Sequence, residues 1–214
     1  MIPGFYDDVL PMTDEDSAFL KQHFDSSAYE ASLGEQLSSL EAGYTHFEAV
    51  GTRPCLEING WHGGYMGAGF KTVIPKEAHL KLSCRLVPEQ NPQRIAENIE
   101  AFFKQRAPSG VDISLTMLHG AVAYRAPLGN KSAQLVAAAF AEVFSAPCSY
   151  LFSGGSIPIV TLLAKVSGAD ALLMGVGLAS DCIHAPNEHF HLERFDKGFL
   201  SIAYALFQLK SEFC

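Results

Sequence analysis

The chain has 214 residues, of which 48% are hydrophobic and 18% are charged. This apolar content excludes intrinsic disorder and predicts a packed core, arranged in one domain or in two small ones. No apolar run reaches the ~18 residues of a membrane span, and the first residues lack the pattern of a signal peptide. We therefore expect a soluble, cytoplasmic protein without a membrane partner.

The charge of the chain is acidic and unevenly placed. Asp and Glu number 23 against 15 Lys and Arg, and residues 1–50 hold ten acidic side chains but only one basic one, Lys21. An acidic chain without a basic stripe does not fit nucleic-acid binding, so no such partner is expected.

The five cysteines are widely spaced and form no C-x-x-C pair. This pattern predicts reduced, mostly buried thiols and no disulfide frame.

Residues 1–122 are predicted to form an α+β layer. Thr13 and Ser27 each precede an acidic residue three positions later, which predicts two helix starts. Asn91 and Pro92 predict the start of a further helix. Three segments are predicted as strands: residues 54–58, 78–87 and 111–117. In the last two, apolar and polar residues alternate, as in a sheet with one face buried and one exposed.

The pattern changes in residues 123–214. Two short apolar segments, 148–152 and 171–176, are predicted as strands, and they alternate with a helix over 131–144 and a helix that opens at Ser156. Continuously apolar strands between helices are typical of a parallel sheet in an α/β fold. Two strands are too few for a free-standing sheet of this kind. A final amphipathic helix is predicted with the apolar stripe Phe195, Phe199, Ile202, Leu206 and Leu209.

A glycine-rich turn runs from Ser153 to Pro158, between a predicted strand and a predicted helix. Its glycines permit close backbone approach, and Ser156 is suited to cap the helix. The unpaired amides of such a helix start attract a carboxylate, although the same turn also occurs without any ligand. A serine nucleophile at Ser156 is disfavoured because the segment is not G-x-S-x-G.

The loop Asp181–His191 holds three histidines within eleven residues. It follows the carboxyl end of a predicted parallel strand, where α/β folds place their ligands. Imidazole and carboxylate groups are suitable zinc ligands. However, the spacing lacks the fixed geometry of a helical H-E-x-x-H motif, so a polar surface loop is the alternative.

A third candidate region surrounds the strand that ends at Arg85. Arg85 and Thr72 are expected on an exposed surface, where the guanidinium could form a forked pair with a substrate carboxylate. A surface salt bridge is the alternative for a lone arginine.

Six ordered motifs resemble the co-catalytic di-zinc metallopeptidases, in the branch of carnosinase, the cytosolic nonspecific dipeptidase and bacterial dipeptidases. These motifs are Arg53-Pro54-x-Leu56-Glu57-Ile58-Asn59-Gly60, Gly63-Gly64-Tyr65, Lys71-Thr72-Val73-Ile74-Pro75, Arg85-Leu86-Val87-Pro88, Gly154-Gly155-Ser156-Ile157-Pro158 and His184-Ala185-Pro186-Asn187-Glu188. The likeness covers essentially the whole chain.

The resemblance implies a fold in which a ferredoxin-like lid is joined to the end of an α/β catalytic domain. By this mapping, residues 1–122 are most of the lid and dimerisation domain, and residues 123–214 are the carboxy-terminal part of the catalytic domain. His184 corresponds to a zinc ligand. Thr72, Arg85, Gly155 and Ser156 correspond to residues that bind the peptide substrate. The implied parent enzyme holds two Zn²⁺ ions, hydrolyses dipeptides or small peptides with metal-activated water, and forms a homodimer through its lid.

The chain departs from the family pattern at the residues that the chemistry needs most. It contains no Glu-Glu dipeptide, and its H-x-D sequence, His23-Phe24-Asp25, lies in the part that matches the lid. The lid's first strand and helix are also missing, and Ser153 stands where many relatives have Glu. We therefore expect no catalytic residue in this chain and no peptidase activity from it alone. A fragment, a truncated gene product, one piece of a split protein, and a non-catalytic dimerisation module all remain open.

Overall fold

The structure is a computed structural model that describes residues 1–23, 25, 27, 31, 41, 43–154 and 157–213. Its elements, in chain order, are helix α1 (Asp14–His23), helix α2 (His46–Thr52), strand β1 (Cys55–Gly63), strand β2 (Ala78–Arg85), helix α3 (Pro92–Arg106), helix α4 (Lys131–Phe144), helix α5 (Ile159–Ser167), a 3-10 turn (Ala179–Asp181) and helix α6 (Leu192–Phe213). Within this described part, no helix combines the length and the apolar character that a membrane crossing needs.

The chain divides into two compact units. The first comprises Met1–Leu10, Arg53–Ala123 and Gly154–Pro158, and the second comprises Pro11–Thr52, Tyr124–Ser153 and Ile159–Cys214. One change of unit falls beside the predicted boundary at residue 122, but residues 11–52 group with the second unit. The assignment of residues 1–122 to a lid and of 123–214 to a catalytic domain therefore stays a prediction.

The core of the first unit lies between an antiparallel strand pair and one helix. Strand β1 pairs with β2 in antiparallel register. The buried cluster consists of Phe5, Ile95 and Ile99. The partly buried side chains that pack against it include Leu56 on β1, Leu82 and Cys84 on β2, and Leu86 just after β2. The alternation predicted for residues 78–87 is confirmed from Leu82 onward, because Leu82, Cys84 and Leu86 pack against the core, whereas Ala78 and Leu80 are exposed.

Local hydrogen bonds set the start of helix α3 as predicted. The Asn91 side chain accepts bonds from the amides of Gln93 (2.9 Å) and Arg94 (3.2 Å), and Pro92 occupies the first helical turn. Just before this cap, the buried Gln90 donates a hydrogen bond of 2.7 Å to the carbonyl of Phe5. This bond joins the amino-terminal segment to the start of the helix.

In the second unit, helix α4 packs against helix α6. The predicted bounds of α4, residues 131–144, are confirmed. The buried positions on the two helices carry small residues: Ala133, Ala139, Gly198, Ser201 and Ala205. Small side chains permit close approach of two helices. The predicted apolar stripe of α6 points elsewhere, since Phe199 is 66% exposed and Leu206 is 62% exposed.

Two helix starts were predicted in the first 50 residues. Thr13 caps α1 by accepting a hydrogen bond of 3.1 Å from the amide of Asp16, so this start is confirmed. The second, at Ser27 and Glu30, lies partly outside the described residues.

The four described cysteines are free and half-buried, so they are less buried than predicted, and Cys214 lies outside the described part.

Three predicted strands are corrected by the structure. Residues 111–117, 148–152 and 171–176 form no strand in the described part of the chain, whose sheet contains only β1 and β2. A strand needs a neighbouring strand to pair its amides and carbonyls, and apolar sequence alone does not supply one. Leu115 still packs against the core of the first unit. The helix predicted to open at Ser156 begins at Ile159.

The small-residue contact of α6 predicts opposite effects for two neighbouring substitutions. Ala205→Leu inserts bulk at a position that is 3% exposed, so we expect a loss of about 1–3 kcal/mol in the free energy of unfolding. Leu206→Ala removes bulk from an exposed position, so we expect a change within about 0.5 kcal/mol. Urea denaturation of both variants measures this contrast. A larger loss for Leu206→Ala than for Ala205→Leu would show that the other face of α6 is the packed one.

Candidate functional site

Arg85 and the glycine-rich turn meet in the first unit. Arg85 is the last residue of β2, it is exposed, and its Nη1 donates a hydrogen bond of 2.7 Å to the carbonyl of Gly154. The partner of this guanidinium is therefore a backbone carbonyl 69 residues away along the chain. A guanidinium has five donor hydrogens, so this bond leaves others directed at solvent or at a ligand.

The remaining substrate-binding candidates are placed less completely. Thr72 lies in the segment between β1 and β2 and is exposed to solvent. Gly155 and Ser156 lie outside the described residues, so the proposed seat for a carboxylate at this turn stays a prediction. Of the four candidates, the structure thus brings one, Arg85, to the turn that carries two others.

The loop that carries His184 is shaped by short backbone turns. The amide of Ala185 donates to the carbonyl of Cys182 (2.9 Å), and the amide of His189 donates to the carbonyl of Asp181 (3.0 Å). Cys182, His184 and Asn187 all have positive φ angles, of 54°, 62° and 65°. Such conformations are uncommon for residues other than glycine and persist where the surroundings hold them. The loop presents the His184 side chain to solvent.

A buried ion pair anchors this loop. Asp181 is 1% exposed, and its carboxylate accepts hydrogen bonds from both terminal nitrogens of Arg194 and from the amide of Leu178. Arg194 also donates to the carbonyl of Val176 at 2.9 Å. The Arg194 hydrogen bonds, followed by that from Leu178, hold the pKa of Asp181 well below its usual range. Asp181 is therefore a structural anchor and not an open metal ligand.

The donor groups of the loop do not form a complete metal centre. Ring nitrogen Nδ1 of His189 lies 3.0 Å from the carbonyl of Asn187, and the rings of His189 and His191 meet edge to face at 5.5 Å. In the part of the chain that the structure describes, no group of three or more His, Cys, Asp or Glu side chains is placed to hold a metal ion. His184 supplies one imidazole, and one imidazole does not fit a two-metal site.

Two structural features of these units were not predicted from the sequence. The pairing of Asp181 with Arg194 was missed, although an acid at the start of the loop and an arginine in the first turn of the following helix indicate such a pair. A capping box at α2 was missed as well: the Thr45 amide donates to the Glu48 carboxylate at 2.8 Å, and the Glu48 amide donates to Thr45 Oγ1 at 3.3 Å.

Comparison with known proteins identifies relatives of this chain. Residues 20–111 match the model of a peptidase dimerisation domain. The chain is 29% identical to a Cys-Gly metallodipeptidase of Candida albicans, with 92% of this chain and 42% of that protein covered. It is 26% identical to the human Beta-Ala-His dipeptidase, with 92% and 40% covered.

Solved structures give the same result for the fold. A dipeptidase of Saccharomyces cerevisiae superposes with a TM-score of 0.80 at 25% identity, over 96% of this chain and 44% of that one. An M20 family metallo-carboxypeptidase of Sulfolobus solfataricus superposes with a TM-score of 0.77 at 26% identity, over 96% and 47%. The chain is thus homologous to these metallodipeptidases and to this M20 metallo-carboxypeptidase, which confirms the resemblance and the fold class. It spans about two fifths of the length of the curated relatives described above.

The Asp181–Arg194 pair predicts a specific dependence of stability on pH. A carboxyl group whose pKa is lowered by folding stabilises the fold above its unfolded pKa, near ~4, and this contribution is lost as the pH falls toward the folded pKa. We therefore expect the urea midpoint of the unsubstituted chain to fall more steeply between about pH 4 and pH 2 than that of Asp181→Asn. Glu188→Gln, which alters an exposed acid of the same loop, should retain the steep dependence. Equal slopes for all three proteins would contradict the assignment.

Proposed function

We propose that this chain is part of a metallodipeptidase, in which residues 1–122 form most of the lid and residues 123–214 form the end of the catalytic domain. The homology supports the hydrolase class. The observation that carries the proposal further is the large apolar surface that the chain leaves uncovered. Such a surface is expected where further polypeptide of the same enzyme packs.

The exposed area of the chain is large for its mass. Its total accessible surface is 15609 Å² at 23.2 kDa. A compact monomer of this mass exposes ~9,700 Å², and two separate compact halves together expose ~11,700 Å². The excess does not depend on how the two units are arranged, because it persists when they are counted separately.

The helices of the second unit carry several exposed apolar side chains. On α6, Phe195, Phe199 and Leu206 are exposed, and on α5, Leu163 and Val166 are exposed. We propose that these faces pack against the polypeptide that corresponds to the part of the relatives not covered by this chain. The relatives are more than twice as long as the matched segment, so that polypeptide is long enough to supply the missing strands.

The proposed site roles follow the resemblance. His184 is proposed as a ligand of one zinc ion, and Arg85, Thr72, Gly155 and Ser156 as groups that bind the peptide. The hydrogen bond between Arg85 and Gly154 supports the substrate part, because it places the guanidinium beside the turn. We propose that the whole enzyme hydrolyses dipeptides or small peptides with metal-activated water and acts in the cytoplasm.

A second candidate function is a non-catalytic dimerisation module. The match of residues 20–111 to a peptidase dimerisation domain favours it. So does an uncovered apolar patch on the first unit: Trp61 is 82% exposed and lies opposite Leu80, on the same side of the strand pair as Ile58. We propose that a second copy of the chain covers this patch, and a homodimer fits either function.

We predict that the 214-residue chain hydrolyses no dipeptide by itself, because His184 is its one proposed metal ligand. The assay uses Zn²⁺ with Cys-Gly and β-Ala-His, the peptides named for the relatives. Turnover at ordinary enzyme rates, a kcat of about 1 per second or more, would contradict the prediction.

A fusion tests the complementary half of the proposal. The chain is joined to the part of the Candida albicans relative that it does not cover, and His184→Ala is compared with His119→Ala, an exposed histidine of the first unit. We expect dipeptide hydrolysis by the fusion and by His119→Ala, and loss of at least about 100-fold in His184→Ala. An active His184→Ala fusion would remove His184 from the site, and a folded but inactive parent fusion would favour the dimerisation module.

The dimer has its own prediction. Light scattering should give twice the mass of the chain, and Trp61→Glu should give the mass of a monomer, because a carboxylate does not pair favourably with the apolar patch. Phe199→Glu, which places the same charge on the exposed face of α6, should leave the dimer intact. A monomeric parent chain would contradict the homodimer.

A further inference from the structure

Two histidines lie directly opposite each other at the end of the strand pair where residues 64–77 connect β1 to β2. His62 on β1 is the register partner of His79 on β2, and their rings stack with centroids 4.5 Å apart and planes 9° apart. Both side chains are exposed. They lie in the first unit, and none of the roles proposed above for His184, Arg85 or Thr72 uses them.

The backbone around the pair is held closely. Gly63 pairs with Ala78, and a Cβ atom at Gly63 would lie 3.0 Å from the carbonyl oxygen of Glu77. The two strands therefore approach each other tightly one step beyond the histidines. Because the strand pairing fixes both Cα positions, the two imidazoles are held together before any ligand binds.

A carboxylate accompanies the pair. Glu77 Oε1 lies 3.6 Å from Nε2 of His79. This contact is longer than a hydrogen bond, and it marks Nε2 as the ring nitrogen nearest the carboxylate, so we take Nδ1 of His79 as the nitrogen that binds the metal ion. The same arrangement, with a carboxylate behind the imidazole, orients histidines that bind metals in proteins.

We propose that His62 and His79 form a surface chelate for one divalent transition-metal ion. Metal–imidazole bonds of ~2.0–2.1 Å require the two ligand nitrogens to lie about 3 Å apart with both lone pairs directed at the ion. The nearly parallel rings, 4.5 Å apart, reach this geometry by turning about their side-chain torsions so that the two ring planes converge on the ion. With two nitrogen ligands and solvent completing the coordination, the affinity should follow copper and nickel above zinc. The bound ion would cross-link β1 to β2.

The experiment titrates the whole chain with Ni²⁺ by calorimetry and measures the melting temperature with and without the ion. We expect one strong Ni²⁺ site per chain and a rise in melting temperature, because the ion binds the folded chain. Glu77→Gln should weaken binding by about tenfold. His62→Ala and His79→Ala should each weaken it further and abolish the rise in melting temperature.

Matched variants separate this site from the other histidines. His189→Ala removes the edge-to-face pair with His191, and His184→Ala removes the proposed catalytic ligand. Both should retain the Ni²⁺ affinity of the parent chain. Unchanged affinity in the double variant His62→Ala, His79→Ala, or a loss confined to His189→Ala or His184→Ala, would overturn the proposal. These Ni²⁺ measurements test the histidine pair alone, and the dipeptidase proposal is tested separately by the activity of the fusion.

Discussion

The packing of helices α4 and α6 through small side chains is the constraint on which the rest of the second unit depends. Ser201 and Ala205 take the buried positions, and the larger apolar side chains Phe195, Phe199, Leu206 and Phe207 are exposed. A helix that buries one face by small residues and still carries a large apolar face is built to be covered on both sides. The homology to proteins more than twice as long supports our proposal that further polypeptide of the same enzyme forms this second covering layer.

Polar contacts then set the two segments that carry the proposed site. In the first unit, Arg85 bonds to the carbonyl of Gly154 and so ties the end of β2 to the glycine-rich turn. In the second unit, Arg194 forms an ion pair with Asp181, and this pair fixes the start of the loop that carries His184. In both cases an arginine of a regular element fixes a loop, so the candidate ligands are positioned without being enclosed. This is what a site would need if another part of the enzyme completes it.

Local sequence signals predicted local structure well. Thr13 and Asn91 cap helices where they were expected to, and the alternation along β2 correctly predicted that Leu82 and Cys84 face the core, although Ala78 and Leu80 are exposed. The strands at 148–152 and 171–176 were wrong because strand formation depends on a neighbour that a local pattern cannot reveal. The predicted helix with an apolar stripe exists as α6, but the stripe is exposed. Whether such a stripe is buried depends on the polypeptide that packs against it, which a local pattern does not reveal. Composition also did not reveal the pairing of His62 with His79, which depends on the register set by the irregularity between Ile58 and Gly60.

The central claim is that the outward apolar face of α6 is an internal surface of a larger enzyme. Hydroxyl-radical footprinting of Phe195 and Phe199 tests it most directly, with the chain alone compared with the chain fused to the part of its Candida albicans relative that it does not cover. Both rings should be oxidised rapidly in the isolated chain, as their exposures of 63% and 66% require, and should become protected in the fusion. Equal oxidation of the two rings in a folded fusion would contradict the claim.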